Sequence, residues 1–179
     1  MSVEFTAPDP NAEVIGTAIR TVTLALGEAG QPILAKHDIE EVDPEAWYPM
    51  QKYLDFFRDL AEPDTINAMF DLVSIGQKIP ETILLPPDIQ TIHDIMSMYD
   101  AAYQMNHRGN AGNWHYTRLG DREIKMVAEK PYPDDFDYGA MFSFCRKYKP
   151  EDARLTVRID ESQPVRKLGG ATTTFMIKW

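Results

Sequence analysis

The sequence predicts an α+β fold in which N-terminal helices pack on a four-stranded antiparallel sheet, with β-β-α-β-β order in the C-terminal half. Apolar residues recur at helical spacing up to Tyr103, and from Trp114 onward the pattern changes to alternation. The alternating stretches are separated by one helical stretch that begins at Asp134-Asp135. A chain of 179 residues has the size of a single domain with one core. With 44% hydrophobic and 26% charged residues it belongs to the globular class rather than the disordered one.

Residues 1–10, with two prolines and two acids, read as an extended arm. Asn11 is a plausible N-cap for a first helix in which Val14, Ile15, Ile19, Val22 and Leu26 form one face up to Gly27. Pro32-Ile33-Leu34 is a short segment of unassigned type. A main helix starts near Pro49, since that proline would clash with a helix begun at Asp43-Pro44. Its buried stripe is Met50, Tyr53, Leu54, Phe57 and Leu60, and Pro63 marks its end. A further helix spans Thr65 to Ile79, on Ile66, Met69, Phe70, Val73 and Ile75, and is kinked or ended by Pro80. The next opens at Pro86-Pro87-Asp88 and carries Ile89, Ile92, Ile95, Met96, Tyr99 and Tyr103. Trp114 to Ala128 forms a hairpin about Leu119-Gly120-Asp121, Ala153 to Asp160 a strand, and ATTTFMIKW the last strand.

Charge limits the partners. A formal charge of −10 with no basic run repels nucleic acid. Arg146-Lys147-Tyr148-Lys149 and Arg166-Lys167 are long enough only for a local anion contact or a solvated helix end. No apolar run approaches the ~18 residues of a membrane span, and MSVEFTAPDPNAE lacks the order of a signal peptide. The single cysteine fits a reducing compartment, so the expected location is cytoplasmic.

No catalytic motif stands out. HExxH, Cys/His metal patterns, GxGxxG, the P-loop and GxSxG are absent, so no catalytic or metal-ligating residue is assigned. His93, on the inner side of a helix beside Ile92 and Met96, has the placement of an axial haem ligand, although a structural histidine is the commoner meaning. His107 and His115 bracket a loop without metal spacing. Cys145, beside Arg146 and Lys147, would be activated by positive charge if exposed and inert if buried. Asp134-Asp135 are explained by the helix dipole. Aromatic and methionine side chains accumulate from the last N-terminal helix onward, a mixture that lines either an apolar ligand pocket or an ordinary core. The candidate ligand-binding set is His93, Met96, Tyr99, Tyr103, Arg108, Trp114, Tyr116, Phe142 and Cys145, with Arg108 or Arg118 holding a polar end of the ligand.

YQMNHRGN, YPDDFDYGAMFSFCRKY and the closing PVRKLGGATTTFMIKW resemble the 4-vinyl reductase family of small-molecule-binding domains, over about residues 45 to 179. That family is related in fold to haem-nitric-oxide-binding domains and to TRAPP vesicle-tethering subunits. The resemblance implies a non-enzymatic sensory domain spanning residues 1–179. Such a domain holds a hydrophobic or aromatic molecule, a haem or other tetrapyrrole included, between helices and sheet, and is usually a homodimer. Two departures qualify it. Family members often place cysteines around the final hairpin, where this chain has Val165 and Thr172 to Thr174. The Tyr-x-Ser-x-Arg signature of haem-nitric-oxide-binding domains has as its nearest string Trp114-His115-Tyr116-Thr117-Arg118, which does not match. The alternatives are an enzyme acting on a small aromatic or tetrapyrrole substrate, with His93, His115 or Tyr116 as proton donor, and a ligand-free interaction subunit.

Overall fold

The computed structural model describes residues 3–62 and 72–179. Its larger sheet is built from β4 (Asn113–Gly120), β5 (Glu123–Glu129), β6 (Thr156–Ile159) and β7 (Thr173–Lys178), in the order β4-β5-β7-β6, all antiparallel. Helix α7 (Asp134–Tyr148) joins the two hairpins, which gives the β-β-α-β-β order read from the sequence. Alternation explains why one face is wet and the other dry. Ile124, Met126 and Ala128 of β5 are fully buried, as are Phe175 and Ile177 of β7, whereas the intervening Lys125, Val127, Glu129 and Met176 face outward. Register matches the apolar faces across strands, pairing Trp114 with Ala128, Met126 with Phe175, and Val157 with Ile177.

The helical half comprises α1 (Gly16–Leu26), α2 (Gln31–Lys36), α3 (Met50–Ala61), α4 (Leu72–Thr82), α5 (Ile92–Ser97) and α6 (Tyr99–Met105). The stripe expected for the main helix is its buried face: Met50, Tyr53, Leu54, Phe57 and Leu60, with Phe56 added. Phe57 meets Tyr53, Tyr132 and Phe136 at ring-centroid distances of 5.0, 5.6 and 5.0 Å, all edge-on, so aromatic packing locks α3 against the start of α7. The unassigned segment around Ile33 is α2.

A second, three-stranded sheet was not legible in the sequence. β1 (Glu13–Ile15) pairs with β2 (Trp47–Pro49) on one side and β3 (His107–Arg108) on the other. These pieces are two or three residues long, too short for alternation to register. They correct the first helix, which begins at Gly16 rather than after Asn11, because residues 13 to 15 are committed to strand pairing. The helix expected from Pro86 to Tyr103 is two helices with a break at Met98. It starts at Thr91, whose side chain and that of Asp94 form a reciprocal capping box. Pro80 does not stop α4, which runs to Thr82, because a proline in the last turn forfeits only one helical hydrogen bond. Ile66, Met69, Phe70 and Pro63 lie outside the described residues.

Helices α4 and α7 approach closely because each presents a glycine. A Cβ on Gly139 would overlap the Val73 carbonyl, and one on Gly76 would overlap the Phe136 carbonyl. Gly76, which by propensity weakens a helix, is here the condition for the crossing. Gly139→Ala is therefore expected to lower unfolding free energy by about 1–3 kcal/mol through overpacking. Gly120→Ala, whose new Cβ would meet nothing nearer than Glu123 Cβ at 4.0 Å, is expected to stay within about 0.5 kcal/mol. Urea titrations of both variants check this.

Candidate functional site

The nine residues proposed from sequence do not converge on one point. Met96, Trp114 and Cys145 are buried in the continuous core, and Tyr99 packs edge-on to both Trp114 and Phe144. Burial pushes the Cys145 thiol up to about 12, so the neighbouring Arg146 and Lys147, which are exposed, do not activate it. Phe142 stacks on Tyr138 at the edge of the core. Arg108 lies on the small sheet with its guanidinium 3.8 Å from the Trp47 ring centroid. Tyr103 donates its hydroxyl to the Ala111 carbonyl at 2.6 Å.

His93 and Tyr116 do meet. The Asp121 carbonyl only accepts, so Nε2 of His93 donates to it at 3.0 Å; in the neutral ring Nδ1 then accepts from the Tyr116 hydroxyl at 2.8 Å. Trp179 packs edge-on against the imidazole with ring centroids 5.0 Å apart. This corner opens into a cleft of about 600 Å³ between the start of α5, the β4–β5 turn and the end of α7. Its walls include Trp179, Tyr148, Arg118, Arg122 and Lys149. Of these, only Arg118 was named beforehand as a ligand contact. Tyr148 ends α7 and Trp179 follows β7, and no sequence spacing connects them.

The second assembly is buried and charged. Arg166, expected to make a local anion contact or to end a helix in solvent, is 0% exposed. It donates to Asp134 and to Asp137 (2.9 Å), and its guanidinium also meets the Lys130 carbonyl. Lys130, 4% exposed, donates to Asp137 at 2.7 Å and sits 4.9 and 4.7 Å from the Trp114 and Tyr132 ring centroids. Burial lowers its pKa to about 8, opposed by the Asp137 charge, so it remains the cationic partner at neutral pH. Thr173 donates to Asp134 at 2.8 Å, and the Asp134 amide donates to Glu4 of the N-terminal arm at 2.7 Å. Asp134 is thus more than the helix-start acid read from the sequence, while Asp135 pairs with Lys167 on the surface. The signal that could have located this network is the recurrence of acids at 134 and 137, one helical turn apart, next to a basic residue at 130.

Removing one member strands the rest. Asp137→Ala leaves Lys130 without its carboxylate and Arg166 with one fewer, and is expected to cost about 3–5 kcal/mol in urea unfolding. Two neighbours titrate in opposition. Burial, opposed by the Asp134 amide that donates to it, raises Glu4 to about 7 from 4.5, so over that window the folded chain holds a proton the unfolded one has lost, and stability falls as pH rises. Burial, with help from Lys130, lowers His107 to about 4 from 6.5, so there the unfolded chain holds the extra proton and stability rises with pH. Each slope approaches about 1.4 kcal/mol per pH unit, and between 4.5 and 6.5 they nearly cancel. In unfolding series across that range His107→Gln should lose stability as pH rises and Glu4→Gln should gain it. Slopes of the same sign in the two variants would refute the assignment.

Among the described residues no group of three or more His, Cys, Asp or Glu is placed to hold a metal ion, and no helix is long and apolar enough to cross a membrane. No protein-family model matches the sequence, and comparison with curated proteins finds no match either. Solved structures do match, at low identity. An H-NOX protein from S. oneidensis in the Fe(II) ligation state superposes with a TM-score of 0.67 at 11% identity, covering 92% of this chain and 95% of that one. A structure probing haem distortion in the H-NOX family gives 0.64 at 15%, with 92% of each chain covered. The IWP-051-bound H-NOX from Shewanella woodyi in the Fe(II)CO state gives 0.56 at 17%, covering 90% and 93%. The chain therefore has the H-NOX fold over nearly its whole length.

That fold raises the question of haem, whose iron is held by histidine, thiolate or tyrosinate. His93 and His107 have both ring nitrogens hydrogen-bonded, the latter to the Tyr103 carbonyl and the Tyr132 hydroxyl. His37 and His115 engage the surface carboxylates of Asp59 and Glu129. Burial pushes the Cys145 thiol and the hydroxyls of Tyr53, Tyr99, Tyr103 and Tyr132 up, away from the ionised forms that bind iron. As packed, none of the histidines, the cysteine or these four tyrosines fits a haem iron, His93 included.

Proposed function

We propose that residues 1–179 form one non-enzymatic sensory domain that binds a hydrophobic or aromatic small molecule. The observation that carries this reading is the near-complete superposition on H-NOX proteins, at 92% of this chain and 95% of the S. oneidensis protein, which leaves little of the chain outside the shared fold. It agrees with the resemblance of about residues 45 to 179 to the 4-vinyl reductase family. Cys145 is closed off, and His93 and His107 are fully hydrogen-bonded, which favours binding over turnover. An iron-free tetrapyrrole falls within the ligand class. The domain works in this reading as a cytoplasmic homodimer, which light scattering on the purified chain checks.

Purified protein is expected to release a small molecule on denaturation, seen by mass spectrometry. Added hemin is expected to give no Soret band that depends on His93. A band present in the wild type and lost in His93→Ala would restore the haem reading. A preparation with no bound molecule and no affinity for aromatic probes would favour the interaction subunit.

A further inference from the structure

The cleft beside His93 has an uneven charge balance. Of its two acids, Asp121 is paired with Arg118 at 2.7 Å, and Asp94 accepts from the Thr91 and Gln90 amides in the helix cap. Both carboxylates are committed. Its other cations are not: Arg122 has no hydrogen bond or ion pair from its guanidinium among the described residues, and Lys149 reaches only the carbonyls of Pro150 and Glu151, at 3.2 and 3.4 Å. In a chain of net charge −10, two cations converge on one concave surface with no acidic side chain paired to them among the described residues. Two aromatic rings, Trp179 and Tyr148, stand among the other lining residues, with the Trp179 ring held edge-on by the His93 imidazole. The volume of about 600 Å³ lies within the range of small-molecule sites.

We propose that this cleft is the ligand site and that its ligand is a small planar aromatic anion. The aromatic ring lies against Trp179 and Tyr148, and the anionic group is bound by Arg122 and Lys149. Guanidinium and ammonium suit an oxyanion through charge-assisted hydrogen bonds, and Arg in particular accepts planar oxyanions with two parallel bonds. His93 positions the wall and does not contact the anion, since both its nitrogens are already used. This rests on the ligand-binding reading above, and narrows it from an apolar molecule to an amphipathic one.

Isothermal titration of the full chain with naphthalene sulfonate and with uncharged naphthol separates the contributions of ring and charge. The sulfonate is expected to bind about tenfold or more tightly than the naphthol. Arg122→Gln combined with Lys149→Gln should erase that advantage while leaving naphthol binding within about twofold. Trp179→Ala should weaken both probes. Arg158→Gln, at an exposed position on the edge strand β6, should change neither. Equal affinity for the two probes, or sulfonate binding unchanged in the double variant, overturns the proposal. A native small molecule that copurifies equally with the double variant overturns the cleft but leaves the sensory reading standing. Failure of that reading shows instead as nothing released on denaturation and neither probe bound.

Discussion

The structure depends on a salt-bridge cluster in its interior. Asp134 and Asp137 on the first turn of α7 hold Arg166 from the β6–β7 connection and, through Asp137, Lys130 from the end of β5. Four charges with almost no exposure would each be costly alone. Together they neutralise one another, and the described structure leaves no buried side-chain polar atom without a partner. What the cluster adds is positional. It ties both hairpins, the connecting helix and, through Glu4, the N-terminal arm to one point, so the apolar faces on either side have a single way to meet.

From that point the rest of the packing follows. The start of α7 is held against α3 by Phe57, Tyr132 and Phe136, and its middle is held against α4 by two glycines. Its far end reaches the rim of the cleft with Tyr148 and Lys149. Between these contacts the interior holds the hydrogen-bonded His107 ring and the Lys130 ammonium in its aromatic surround. The cleft beside His93 lies at the periphery of this core.

Much of the architecture was legible in sequence wherever a pattern ran long enough. The alternation of β5 and β7, the stripe of α3 and the start of α7 at Asp134 each repeat over two or more periods. The small sheet was not legible, because Val14 and its neighbours pair with residues 47–49 and 107–108, and such contacts leave no local period. The helix break at Met98 has no proline or glycine to announce it. Of the candidate ligand residues, His93 and Tyr116 reach the cleft corner, while Met96, Tyr99, Trp114 and Cys145 belong to the core, as aromatic and sulfur-bearing residues at helical or alternating spacing commonly do. Of the two readings of Arg166, a local anion contact or a solvated helix end, the contact is the one that forms, but nothing in a single basic pair reveals that its acids are buried 29 and 32 residues away.

The crossing of α4 and α7 has a mechanical meaning. Where side chains separate two helices, rotamer changes absorb a displacement and the partners slide independently. At Gly76 and Gly139 backbone faces backbone, so no rotamer exists to absorb anything. Because α7 carries the Asp134 cluster on its first turn and borders the cleft at its far end, the glycine crossing fixes α4 against the one helix that joins the buried ion pairs to the rim.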